Sequence, residues 1–203
     1  MINKIEKILI ELEKLEKNWV LNDVEFIHSF GRVPGESEIR LWQIPKSTGE
    51  FLNILVKLIK PKNILEIGTS AGYSSIWLAS AAEKYGGTIN SIEIFEPKIK
   101  LAKKYIEKSN LKNINILIGD ALQITKNYPK PIDMLFLDAD KENYLKYFKN
   151  LQKSFKRGTV IIADNAGNYG FLMKDYLDFL KKSKKTENLF LEIDNGLMIT
   201  KIL

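Results

Sequence analysis

The chain contains no cysteine. That excludes disulfides, thiolate zinc sites and a cysteine nucleophile, and it is compatible with the cytoplasmic location expected here. Histidine is nearly absent as well: His28 is the only one, and its aromatic surroundings favour a structural role. Long hydrophobic runs are missing. None reaches the roughly 18–20 residues needed to cross a bilayer, so no membrane partner is expected. Nor does the N-terminus read as a secretion leader. Ile2, Ile5, Ile8, Leu9, Leu12, Leu15 and Trp19 recur at helical spacing with Lys and Glu between them, which predicts an amphipathic helix. Repeats, low-complexity stretches and linkers are likewise absent. So is the G-x-G-x-x-G spacing of dinucleotide sites, which argues against a nicotinamide dehydrogenase.

What is present suits one domain over residues 1–203, with 45% hydrophobic residues to build a core. The net charge of +6 permits a nucleic-acid partner. Lysine is spread through the whole chain, however, and its densest cluster (Lys181, Lys182, Lys184, Lys185) ends a predicted helix, where a solvated face is the plainer reading. From Lys62 onward strands and helices alternate. Strands are predicted at Asn63–Ile67, Thr88–Ile94, Ile114–Ile118, Ile132–Leu137 and Thr159–Ala163. Helices are predicted at Tyr73–Lys84, Pro97–Ser109, Tyr144–Phe155 and Phe171–Lys182. Leu189–Ile193 and Leu197–Ile202 flank Asp194-Asn195-Gly196, a hairpin signal. The expected fold is α/β: an open, doubly wound, mostly parallel sheet over residues 61–203, with an antiparallel strand at its end. Residues 1–60 form a helical cap. It includes a second helix from Thr48 to Ile59 and a Ser29–Ser47 loop that reads equally as a lid or a dimer contact.

In such sheets ligands bind beyond the carboxyl ends of the strands. The first predicted strand ends in Glu66-Ile67-Gly68-Thr69-Ser70-Ala71-Gly72-Tyr73-Ser74. Gly68 suits a tight turn, Gly72 a close helix approach, and the loop's N–H groups an anionic group. Glu66 is placed to meet an amino-bearing ligand, with a salt bridge or dipole role as the plainer alternative. Glu93, closing the second strand, is placed to accept from ribose hydroxyls. Gly119-Asp120-Ala121 closes the third and could line a base. Asp138 ends the fourth strand and Asp164-Asn165 the fifth. Neighbouring parallel strands lie about 4.8 Å apart, so three oxygens can share one spot. Oxygen-only ligation selects a hard cation, most simply Mg²⁺, with Mn²⁺ or Ca²⁺ as alternatives. Lys141 is three residues past Asp138. A nearby dication favours the neutral amine, which suits a base.

These residues resemble the cation-dependent O-methyltransferases, the family of catechol and caffeoyl-CoA methyltransferases. The resemblance runs from about Trp42 to the C-terminus. It rests on TGEFL at 48–52, LEIGTSAGYSS at 65–75, SIE at 91–93, GDA at 119–121, FLDADK at 136–141, ADN at 163–165 and DNGL at 194–197. The paired FLDxxxK and ADN segments are the specific part. The resemblance implies seven strands in the order 3-2-1-4-5-7-6 with strand 7 antiparallel. It implies Asp138, Asp164 and Asn165 as metal ligands and Lys141 as the base. Ile44, Glu66, Gly68, Ser70, Ser74, Glu93, Ala121 and Asp138 would contact or border the donor, S-adenosylmethionine. The expected reaction is methyl transfer to a hydroxyl of a catechol-like or hydroxycinnamoyl small molecule by a homodimer. A hydroxylated tRNA nucleoside is the alternative acceptor, and a non-catalytic donor-binding protein the more distant rival. The N-terminal third departs most from the family, and its Ser29–Ser47 loop matches no known acceptor pocket.

Overall fold

The computed structural model describes residues 3–21 and 38–203. His28 and residues 29–37 of the Ser29–Ser47 loop therefore lie outside the described residues. The strands are β1 (Asn63–Ile67), β2 (Thr88–Glu93), β3 (Ile114–Ile118), β4 (Ile132–Leu137), β5 (Phe155–Ala163), β6 (Thr186–Leu191) and β7 (Leu197–Ile202). They form one seven-stranded sheet in the order β3-β2-β1-β4-β5-β7-β6. The first five pair in parallel, and β7 runs antiparallel to both β5 and β6. This is the predicted architecture, strand order included.

Helices cover both faces. On one lie α1 (Lys4–Glu16), α2 (Lys46–Ile59), α3 (Tyr73–Ala82) and α4 (Glu96–Ser109). On the other lie α5 (Ala121–Lys126), α6 (Tyr144–Leu151) and α7 (Lys174–Lys182). The strand pleat sorts the side chains. Ile64, Met134 and Phe136 enter the first layer, whereas Leu65, Ile67, Leu135 and Leu137 enter the second. Burial on both faces is why β4 reads as an unbroken apolar run. Glu66 alternates with Leu65 and Ile67, so its carboxylate is carried into the first, apolar layer. The chain turns back between β1 and β4, which makes their carboxyl ends the crevice of the sheet.

Several predicted boundaries move. The helix from Tyr144 stops at Leu151, and Phe155 already belongs to β5. A register break between Ile132/Phe155 and Met134/Val160 absorbs Gly158, which hid this early start. The helix predicted from Phe171 begins only at Lys174. Strand β6 covers Thr186–Leu191 rather than Leu189–Ile193, because pairing with β7 recruits polar residues whose propensity does not mark them. Among the described residues no helix is long and apolar enough to cross a membrane.

Candidate active site

The loop after β1 is built against its neighbours. A Cβ on Gly68 would overlap the Asp138 carbonyl oxygen, and φ there is +103°; only glycine fits. Gly72 differs from expectation. A Cβ would meet Ala102 at an ordinary 3.6 Å, so its φ of +88°, rather than close helix packing, calls for glycine. Part of the expected anion cradle is used inside the protein. The N–H groups of Gly68 and Thr69 donate to the Ile92 carbonyl and that of Gly72 to Thr69. Ser70 N–H donates to Glu93 Oε2 at 2.8 Å. Three of these donors hold the loop to β2, and that of Gly72 closes the loop on itself. Glu93 accepts two more backbone N–H groups, from Ile94 and Phe95, each at 2.9 Å. The β2 end thus presents a carboxylate whose position is set by three donors. Ala121 opens α5 beside it, with Asp120 as the helix cap.

Glu66 is fully buried, at 0% exposure. Its Oε2 accepts from the Ser75 and Ser91 hydroxyls, and its Oε1 has no hydrogen-bond partner. Ser74, buried in the first turn of α3, lies against the same carboxylate. Burial pushes the Glu66 carboxyl up to about 7, against the pull of the serines. Proton uptake by the native state therefore stabilises it fully below the ordinary 4.5, and the gain is lost as pH rises through about 7. Glu66→Gln is expected to stabilise the ligand-free protein at pH 8 by up to about 3 kcal/mol, read as a raised melting temperature. The difference should fade towards pH 4.5 in a melting series; a pH-independent difference would contradict the assignment.

At the neighbouring strand ends, Asp138 N–H donates to Ile67 O and Asp164 N–H to Leu137 O. These bonds bring the two carboxylates to one edge. Asp164 is 3% exposed, and its Oδ1 is buried without a partner. Burial, and then the charge of Asp138, push the Asp164 carboxyl well above the usual range. Lys141 Nζ, on the short turn after β4, pairs with Asp138 Oδ1 at 3.1 Å. Asn165 is buried on the same edge with a left-handed φ of +65°. Two mutually repelling carboxylates with an orphaned oxygen fit a cation chemically. Among the described residues no group of three Asp, Glu, His or Cys side chains is arranged to hold a metal ion; the third candidate here is an amide. Ile44 is buried among α1–α3 core residues.

A family profile described as O-methyltransferase matches residues 19–201. The chain belongs to this O-methyltransferase family. It is 40% identical over 128 residues to a catechol O-methyltransferase of Niastella koreensis, covering 60% of this chain and 57% of that protein. It is 32% identical over 130 residues to a catechol O-methyltransferase of Mycobacterium tuberculosis, covering 63% and 58%. The chain thus spans less than two thirds of these relatives' lengths. Among solved structures, the O-methyltransferase from Bacillus cereus in complex with SAH superposes with a TM-score of 0.71 at 25% identity, covering 98% of this chain and all of that one. TomG from Streptomyces achromogenes, in complex with SAM, gives 0.73 at 25% identity, covering 79% and 81%.

Three features of this O-methyltransferase-family chain escaped the sequence reading. Asp140 and Tyr147 line a cleft of about 80 Å³ with Gly68, Glu93, Asp120 and Ala121. It is small beside the roughly 300–1,000 Å³ of complete ligand sites, so it is a sub-pocket of the crevice. Asp140 accepts from the Tyr147 hydroxyl and from Asn143, and FLDADK held the only hint of it. A larger cavity of about 300 Å³ lies between α7 and the β6–β7 hairpin, away from these groups. Asp194, read only as a turn residue, caps α2 from outside. Its carboxylate accepts from Ser47 Oγ, Thr48 Oγ1 and Thr48 N–H. The local cap position is Pro45, which has no side-chain acceptor.

Proposed function

We propose that this chain transfers a methyl group from S-adenosylmethionine to a hydroxyl of a small molecule bearing neighbouring hydroxyls, catechol-like or hydroxycinnamoyl, with the help of a divalent cation. The observation that carries this reading is the buried, unpartnered oxygen of Asp164, whose carboxylate lies within Coulombic reach of Asp138 at the strand ends beside the glycine loop. Asp138, Asp164 and Asn165 would hold the cation, Mg²⁺ being the simplest choice for oxygen ligands. When bound, the cation supplies charge that acidifies a hydroxyl, and the donor supplies an electrophilic methyl. Glu93 would hold the ribose hydroxyls, and the unpartnered Glu66 Oε1 offers an acceptor for the donor's amino group. Gly68, Ser70, Ser74, Ala121 and Ile44 would shape the remaining wall. Lys141 receives the acceptor's hydroxyl proton at Nζ. The protein's larger part is alignment, holding oxygen and methyl carbon in attacking distance.

Position supports a small acceptor over an RNA. Strand β6 runs parallel to β5, since both are antiparallel to β7. Lys184 and Lys185, just before β6, therefore lie at the edge opposite the crevice. A cytoplasmic homodimer belongs to the same reading.

The test is a methyl-release assay over catechols, hydroxycinnamoyl thioesters and hydroxyuridine-containing tRNA. Turnover of a small diol is expected, abolished by EDTA and restored by Mg²⁺. Full turnover in metal-free buffer would remove the cation from the mechanism, and turnover of tRNA alone would replace the acceptor.

A further inference from the structure

Lys98, in the first turn of α4, is only 6% exposed, an expensive place for an ammonium group. Its Nζ lies 4.2 Å from the centroid of the Trp42 ring and 3.5 Å from the Leu41 carbonyl oxygen. Glu16, at the end of α1, is within Coulombic reach of it. The same Leu41 carbonyl accepts from Ser70 Oγ at 2.5 Å, and Gln43 N–H donates to Glu16 at 3.5 Å. Residues 41–44 therefore form a strap tied to the glycine loop, to α4 and to α1. Trp42 carries the strain of this arrangement. Its φ is +49°, a left-handed conformation that an aromatic residue adopts only when its surroundings impose it. The residue is 36% exposed, so burial alone does not impose it, whereas a cation against the ring helps to.

Ser70 is the junction. Its hydroxyl meets the strap and its N–H meets Glu93. A strap that lifts would loosen Ser70 and, through it, one of the three donors that set the carboxylate at the β2 end. We propose that Lys98 is a positioning residue that holds the 41–44 strap on the glycine loop and thereby sets the affinity for the methyl donor. This rests on the donor reading above.

Lys98→Met keeps the apolar stem and removes the charge. Calorimetry with S-adenosylhomocysteine should show binding weakened tenfold or more. Amide hydrogen exchange in the ligand-free protein should quicken at 40–44 while β1 and β4 stay protected. The donor KM should rise with kcat nearly unchanged, and Lys98→Arg should recover most of the affinity. If Lys98→Met folds poorly, Trp42→Ala, at a partly exposed ring, tests the same tie. Unchanged affinity in these variants overturns the proposal, as does a loss that Lys98→Arg shares in full. Wild-type protein that fails to bind S-adenosylhomocysteine overturns instead the donor reading beneath it.

Discussion

Asp164→Asn should melt at a higher temperature than the native protein when metal-free, and yet lose nearly all cation-dependent methyl transfer. Both effects have one origin. The native side chain holds a buried oxygen with no hydrogen-bond partner and a charge opposed by Asp138. An unsatisfied buried acceptor costs about 1–3 kcal/mol. The amide is uncharged and can donate towards Asp138. For a chain of this size each kcal/mol is worth about 2–4 °C. The lost activity should exceed the roughly 10–100-fold that follows from removing a mere outer-shell partner of a metal. Melting curves in EDTA and initial rates in Mg²⁺ measure the two separately. A variant that is less stable and still active would show that Asp164 is a structural carboxylate.

Lys141→Met should lower kcat by about 10²–10⁴-fold, the usual range for a lost general base, and leave S-adenosylhomocysteine affinity close to native. Its Nζ pairs with Asp138 at 3.1 Å, so a purely electrostatic role competes with the base role. Lys141→Arg separates them. Arginine preserves the positive charge and the ion pair but does not give up its proton in a protein. If Lys141 accepts the hydroxyl proton, the arginine variant stays as slow as the methionine one. Recovery of turnover by arginine would reassign Lys141 to holding Asp138 in place.

The parts of the fold carried by short-range pattern were legible in advance. An unbroken apolar run marked β4, alternating segments marked the β–α units, and Asp194-Asn195-Gly196 marked the hairpin. Glu66, Glu93, Asp138 and Asp164 each stand at or next to a strand's carboxyl end, so knowing the strands was enough to place them on one edge. The boundaries that failed were those set by pairing. Strand β5 begins at Phe155 because β4 lies beside it, and β6 begins at Thr186 because β7 does.

The sequence by itself determined that the chain builds a doubly wound sheet and which carboxylates gather at its crevice, because both follow from spacings of a few residues. Only the tertiary structure decided what state those groups are in. It bonded the Gly68, Thr69 and Ser70 N–H groups to β2, buried Glu66 beneath the loop with one oxygen unpartnered, and left an Asp164 oxygen without a donor. It also set Asp194 on the start of α2, 146 residues away, and Lys98 under Trp42. Such contacts join residues that no local period relates. Their energies depend on burial and on the direction of individual donors, which exist only once the layers have closed.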